Sequence, residues 1–243
     1  MGPTLRTITL GYLMPLGSAR ALRGAGILVV LLLGLILTGK ALGLVHEETL
    51  LALRGGLVVP GIPIAAALLS EISLREGITQ RTLLYPLFGP VSRPALAIGR
   101  TLLTAALLVI GAIATSVTLQ ILAGVKAEGL GREILGLCFG GLTYVGLFGL
   151  LHLVSNRGLV TGLALFFTLD DPLGRLPFSL RLLAPSFHLR TVSGVEAEFN
   201  LPIDIHAATS TPLASGLALI AIGALSIYAT AQLFARKPLG ELC

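Results

Sequence analysis

Residues 70–100 read SEISLREGITQRTLLYPLFGPVSRPALAIGR, a polar, charged and helix-compatible connector set between two long apolar runs. That contrast decides the fold. The chain of 243 residues is 54% hydrophobic and only 12% charged, with a mean hydropathy of +0.93. A soluble domain would carry about twice that charged fraction, so the composition is that of a polytopic membrane protein.

A bilayer core about 30 Å thick takes about 20 apolar residues at 1.5 Å rise each. Six spans are predicted on that basis, at residues 24–45, 57–72, 96–124, 134–154, 156–170 and 212–234. The fifth is short: Gly158 to Leu169 is its uncharged part, so either the bilayer thins there or the segment that follows folds back to cover it. With both termini on one face, that face holds Arg6, Arg20, Arg23, Arg75, Arg81, Arg93, Arg100, Arg157, Arg236 and Lys237 against Glu71, Glu76 and Glu241. The opposite face is net acidic, and the excess of Lys and Arg in short loops predicts cytoplasmic termini. The net charge of +5 then follows from residues that orient the spans and favour anionic lipid, with no nucleic acid required.

Around the spans, Thr4 to Arg23 mixes leucines with three arginines, a pattern suited to an amphipathic N-terminal helix at the interface. Residues 170–211 are broken by Pro172, Pro177, Pro185 and Pro202 yet stay apolar at Leu176, Phe178, Leu180, Leu182 and Leu183, which predicts a partly re-entrant outer segment between spans five and six. Cys138 and Cys243 fall in a span and at the end of the chain, so both are predicted to be reduced. No soluble domain is apparent, and residues 1–243 read as one membrane domain.

Several motifs carry less than they promise. Gly34, Gly39 and Lys40 imitate the start of a phosphate-binding loop, but they sit inside the first span and Ala41 stands where a magnesium-binding hydroxyl is needed. His152 and Ser155 share a helix face without an oxyanion hole or a nucleophile elbow, and read as polar side chains at the end of a span. His46, His188 and His206 lack metal-ligand spacing and read as solvated loop residues. No catalytic residue and no metal site is predicted. Gly136, Gly140, Gly158 and Gly162 form two pairs at four-residue spacing that let helix backbones approach closely, within one subunit in the simplest case. The spans otherwise hold almost no ionisable group that could mark a polar path. Asp170 and Asp171, ending the short fifth span, are candidates for an outer gate or a contact with an accessory protein.

Within the connector, Glu71 and Arg75 stand in the favourable acid-to-base order at i, i+4. Leu83, Leu84, Leu87 and Phe88 would form a compact apolar knob between Arg81 and Arg93, and Pro86, Gly89 and Pro90 favour a short helix with a sharp return. The run Glu71, Arg75-Glu76-Gly77-Ile78-Thr79, Leu83-Leu84, Pro90-Val91-Ser92-Arg93, Gly99-Arg100 resembles the loop between the second and third spans of type-2 ABC transporter permeases. Ile78, the insertion 85–89 and Arg100 in place of lysine are its departures from that pattern.

The resemblance implies a coupling helix between spans two and three that docks on a separate ATPase subunit. Its interface would draw on Glu71, Arg75, Glu76, Gly77, Thr79, Arg81, Leu83, Leu84, Leu87, Phe88, Pro90, Ser92 and Arg93. It also implies two ATPase copies carrying ATP and magnesium, a second permease subunit, identical or related, and a prokaryotic plasma or inner membrane location. This chain would bind no cofactor and catalyse nothing itself. The other reading is a stand-alone polytopic membrane protein or an intramembrane enzyme without an ATPase partner.

Overall fold

The computed structural model describes residues 34, 38–41, 43, 49, 53, 55–76, 92–123, 129–155, 157–176, 179–195 and 210–237. Among these the regular elements are all helical. Helix α1 (Ile62–Ser70) is flanked by π-helical turns Leu57–Gly61 and Glu71–Glu76. Then come α2 (Arg93–Ala123), α3 (Leu130–Val154), α4 (Gly158–Leu165) with a π-helical continuation Phe166–Asp170, and α5 (Asp171–Arg175). A 3-10 turn Ser179–Leu183 leads into α6 (Pro185–Ser193), and α7 (Pro212–Arg236) completes the described set.

Three helices, Arg93–Leu122, Leu130–Val154 and Pro212–Arg236, are long and apolar enough to cross a bilayer, which makes this a membrane protein. They correspond to the predicted spans 96–124, 134–154 and 212–234. The apolar stretch Leu57–Ser73 is shorter, and the helix continues through Glu76 rather than yielding to a connector at Ser70. Pro60 lies inside its first π-helical turn, where the missing N–H removes an α-type bond and the widened turn accommodates the ring. The fifth segment runs helically from Gly158 to Asp170, about 20 Å at α-helical rise. The predicted first span lies outside the described residues except for positions 34, 38–41 and 43, and the predicted N-terminal helix lies wholly outside them.

Contacts at the two ends of the helices fix their directions. At one end Glu71 meets His152, Gly158 lies against His152, and Arg93 Nη1 donates to the Lys237 carbonyl at 3.4 Å. At the other, Gly55 approaches Val195, Gly136 faces Ser193, and Arg132 Nη2 donates to the Thr191 carbonyl at 3.1 Å. The first described helix, α2, α3, α4 and α7 therefore alternate in direction, between a His152 end and a Gly129 end.

Helix α3 is the axis: α1, α2, α4, α6 and α7 all pack on it. Its glycines explain why. A Cβ on Gly136 would lie 2.7 Å from Ser193 Cβ, on Gly140 2.7 Å from Leu189 Cδ1, and on Gly146 3.1 Å from the Gly223 carbonyl of α7. Leu137, Tyr144, Val145 and Phe148 of α3 then join Val58, Ile62 and Ala66 of the first helix and Leu108 and Ala112 of α2 in the main core. A smaller core of Leu96, Ala97, Leu153, Ala231 and Phe234 closes the His152 end. Apolar side chains such as Ile110, Ile121, Leu213, Leu217 and Leu225 stay exposed on the long helices, as surfaces in contact with lipid require.

Candidate functional site

Two buried polar clusters interrupt this apolar bundle, more than the expectation of almost no ionisable group in the spans allows. The sequence reading began the fourth span at Ile134 and so left Glu133 in a loop. The helix in fact starts at Leu130, and Glu133 is 3% exposed, accepting a hydrogen bond from Ser116 of α2.

The first cluster lies where α4 gives way to α5. Tyr144 stands 14 residues into α3, about 21 Å from its start, and its hydroxyl donates to Asp170 Oδ2 at 2.5 Å. Asp170 Oδ1 accepts from the Ser186 backbone N–H at 3.1 Å, and the Asp170 carbonyl accepts from Ser186 Oγ at 2.8 Å. Ala184, the residue preceding α6, offers no side-chain acceptor to the first turn. Asp170 supplies the missing cap from another element, and its negative charge suits the positive end of the helix. Next to it, Asp171 accepts from Arg190 of α6 and pairs with Arg175 at 2.9 Å.

Asp170 and Asp171 are therefore not at the outer end of a full span. They sit at the level of the middle of α3, and α5, the 3-10 turn and α6 fold back along the rest of that helix. Helix α6 climbs toward the Gly129 end, with Leu189 on Gly140 and Ser193 on Gly136. His188, expected in solvent, is 5% exposed: Nδ1 is 3.1 Å from Ser215 Oγ of α7 and Nε2 is 2.8 Å from the Leu182 carbonyl.

The second cluster lies at the His152 end. His152 is 6% exposed; its Nδ1 is 2.5 Å from the Phe148 carbonyl and its Nε2 is 2.6 Å from Glu71 Oε2. Beside it, Arg100 Nη1 donates to the Ser73 carbonyl at 2.7 Å and Thr104 Oγ1 donates to Ser73 Oγ at 2.8 Å, so α2 grips the last turn of the first described helix. Ser155 turns elsewhere, with its Oγ 3.2 Å from Thr161 Oγ1. A Cβ on Gly158 would lie 2.6 Å from His152 Cα, and one on Gly162 would lie 2.5 Å from the Phe148 ring. All four glycines singled out from the sequence thus sit at contacts between segments of this same chain.

Of the predicted coupling residues, Glu71 faces α3. Arg75 and Glu76 are helical, and Ser92 and Arg93 open α2, where the Ser92 carbonyl accepts from Leu96 N at 3.0 Å. Gly77, Thr79, Arg81, Leu83, Leu84, Leu87, Phe88 and Pro90 lie outside the described residues. Among the described residues no group of three or more His, Cys, Asp or Glu side chains is arranged to hold a metal ion.

Sequence reasoning missed Tyr144, Ser186, Arg190 and Glu133. One signal was present: Glu133, Gly136, Leu137, Gly140 and Tyr144 recur at helical spacing, and all five are buried. The pairing of Asp170 with Ser186 has no such signal, because it depends on the chain turning back. Comparisons with protein-family models, curated proteins and solved structures give no match.

Proposed function

We propose that the chain is the transmembrane permease subunit of an ABC transporter, forming the substrate pathway and coupling it to ATP hydrolysis by a separate ATPase. The connector sequence between Glu71 and Arg100 carries this reading: an acid-base pair, an apolar knob flanked by arginines and a Pro-Val-Ser-Arg return. One feature of the bundle supports it. The helices on either side of the connector are bound to one another through Arg100 and Ser73, so both roots of the loop are firm. A force applied to the loop would reach α2 and α3 directly. The fifth segment ends its helix at Asp170, short of a full span, and this reading puts there the path of an apolar or amphiphilic substrate, moved outward or flipped between leaflets.

In this scheme two permease subunits and two ATPases assemble in a prokaryotic plasma or inner membrane, with both permease termini cytoplasmic. ATP and magnesium belong to the ATPases, and an accessory protein can meet the outer face. The test is co-purification of the chain with its native partners, followed by Leu84→Asp. Truncating an interface anchor costs about 2 kcal/mol or more, which cuts association about thirtyfold. If Leu84→Asp keeps both the ATPase and transport-coupled hydrolysis, the loop is not the docking site and the chain acts without such a partner.

A further inference from the structure

We propose that His152 is a positioning residue that joins the root of the connector to α3 and α4, so that motion of the connector passes into both helices. The transmission half of this proposal rests on the permease reading; the anchoring half stands on geometry alone.

A backbone carbonyl only accepts, so the 2.5 Å contact between His152 Nδ1 and the Phe148 carbonyl places a proton on Nδ1. Nε2 lies 2.6 Å from Glu71 Oε2, an ion-pair contact that ties Glu71 to α3. The ring is thus held at Nδ1 by its own helix and met at Nε2 by the last turn before the connector. The third contact comes from glycine: Gly158, the first residue of α4, leaves no room for a side chain over the His152 backbone. The His152 side chain itself is fully buried, whereas that of Glu71 retains 29% exposure. One imidazole thus touches the last turn of the helix that enters the connector, the end of the axial helix, and the start of the short fifth segment.

The experiment uses Glu71→Leu, His152→Phe and Glu71→Gln. The first two remove one partner at similar volume. In the third, the amide N–H can donate to a neutral Nε2 and restore the bond without charge. In the chain alone in lipid nanodiscs, hydrogen exchange of the Glu71–Glu76 amides should accelerate about tenfold in Glu71→Leu and His152→Phe, the scale of one lost charge-assisted bond. It should stay within about threefold of wild type in Glu71→Gln. Unchanged exchange in Glu71→Leu, whose half-exposed site tolerates leucine, overturns the anchor even if His152→Phe fails to fold. In the complex with the ATPase that accompanies the wild type, both disrupted variants should retain ATPase binding but lose about tenfold in substrate moved per ATP hydrolysed, and Glu71→Gln should restore it. A fall in hydrolysis with an unchanged transport-to-ATP ratio means a purely structural pair and overturns the transmission. A wild-type preparation without any ATPase refutes the permease reading and the transmission with it, and the exchange result still decides the anchor.

Discussion

Removing one oxygen atom, in Tyr144→Phe, tests whether the fifth segment is latched at the middle of the bundle. The ring would stay in place, edge-on to Phe166 at 6.0 Å and stacked near Phe148 at 6.2 Å, so only the hydrogen bond to Asp170 is lost. Charge-assisted hydrogen bonds contribute about 1.5–3 kcal/mol in soluble proteins, whereas side-chain bonds within membranes average about 0.6 and reach about 1.7 kcal/mol. The 2.5 Å separation and the 2% exposure of Tyr144 put this bond near the upper membrane value. Tyr144→Phe should therefore cost about 1.5 kcal/mol. Asp170→Ala should cost about 3 kcal/mol, because it also strips the cap from the Ser186 N–H. The double variant should cost no more than Asp170→Ala alone, a coupling of about 1.5 kcal/mol. The assay is reversible unfolding in mixed micelles with increasing dodecyl sulfate, followed by circular dichroism. Costs that add to within about 0.3 kcal/mol would show that the hydroxyl and the carboxylate act independently, and the latch would be refuted.

Four further outcomes follow from the same geometry. Gly136→Ala places a methyl against the Ser193 backbone and should lose about 1–3 kcal/mol in that unfolding assay. Gly111→Ala, with open space around it on α2, should be neutral or gain about 0.5–1 kcal/mol. A single cysteine at Gly131 should react with an impermeant thiol reagent from outside intact cells, and one at Arg157 only after permeabilisation; the reverse pattern inverts the topology. Asp170→Asn with Asp171→Asn should cut transport about tenfold while the protein still inserts, since Arg190 loses its carboxylate partner; normal transport would separate the junction from function.

The long helices were legible because apolar length alone specifies them. Arg93 to Ala123, Leu130 to Val154 and Pro212 to Arg236 each carry more than enough uninterrupted apolar sequence to be counted without knowing their neighbours. The glycines at 136, 140, 158 and 162 were legible for a related reason: four-residue spacing puts them on one face before any partner is known. The polar clusters were not. Glu133 looked like a loop residue because hydropathy ends a span at the first charge, whereas Ser116 on the adjacent helix makes that charge tolerable inside. His188 looked solvated because it lacks metal-ligand spacing and no partner was in view; its burial comes from α6 packing along α3 and α7. Glu71 was read as an outward-facing member of a motif, and its contact with His152 spans most of a hundred residues of sequence that periodicity cannot bridge.

The cap that Asp170 gives to α6 has a consequence for how the protein is made. A segment of 13 helical residues from Gly158 to Asp170 is too short to settle across a bilayer as it leaves the insertion machinery. Its terminal carboxylate finds the Ser186 N–H only after α6 has been synthesised, and α6 finds its bed only on an α3 already in place. Residues 158–193 are thus expected to settle in the membrane as one unit, against an α3 that has already been synthesised.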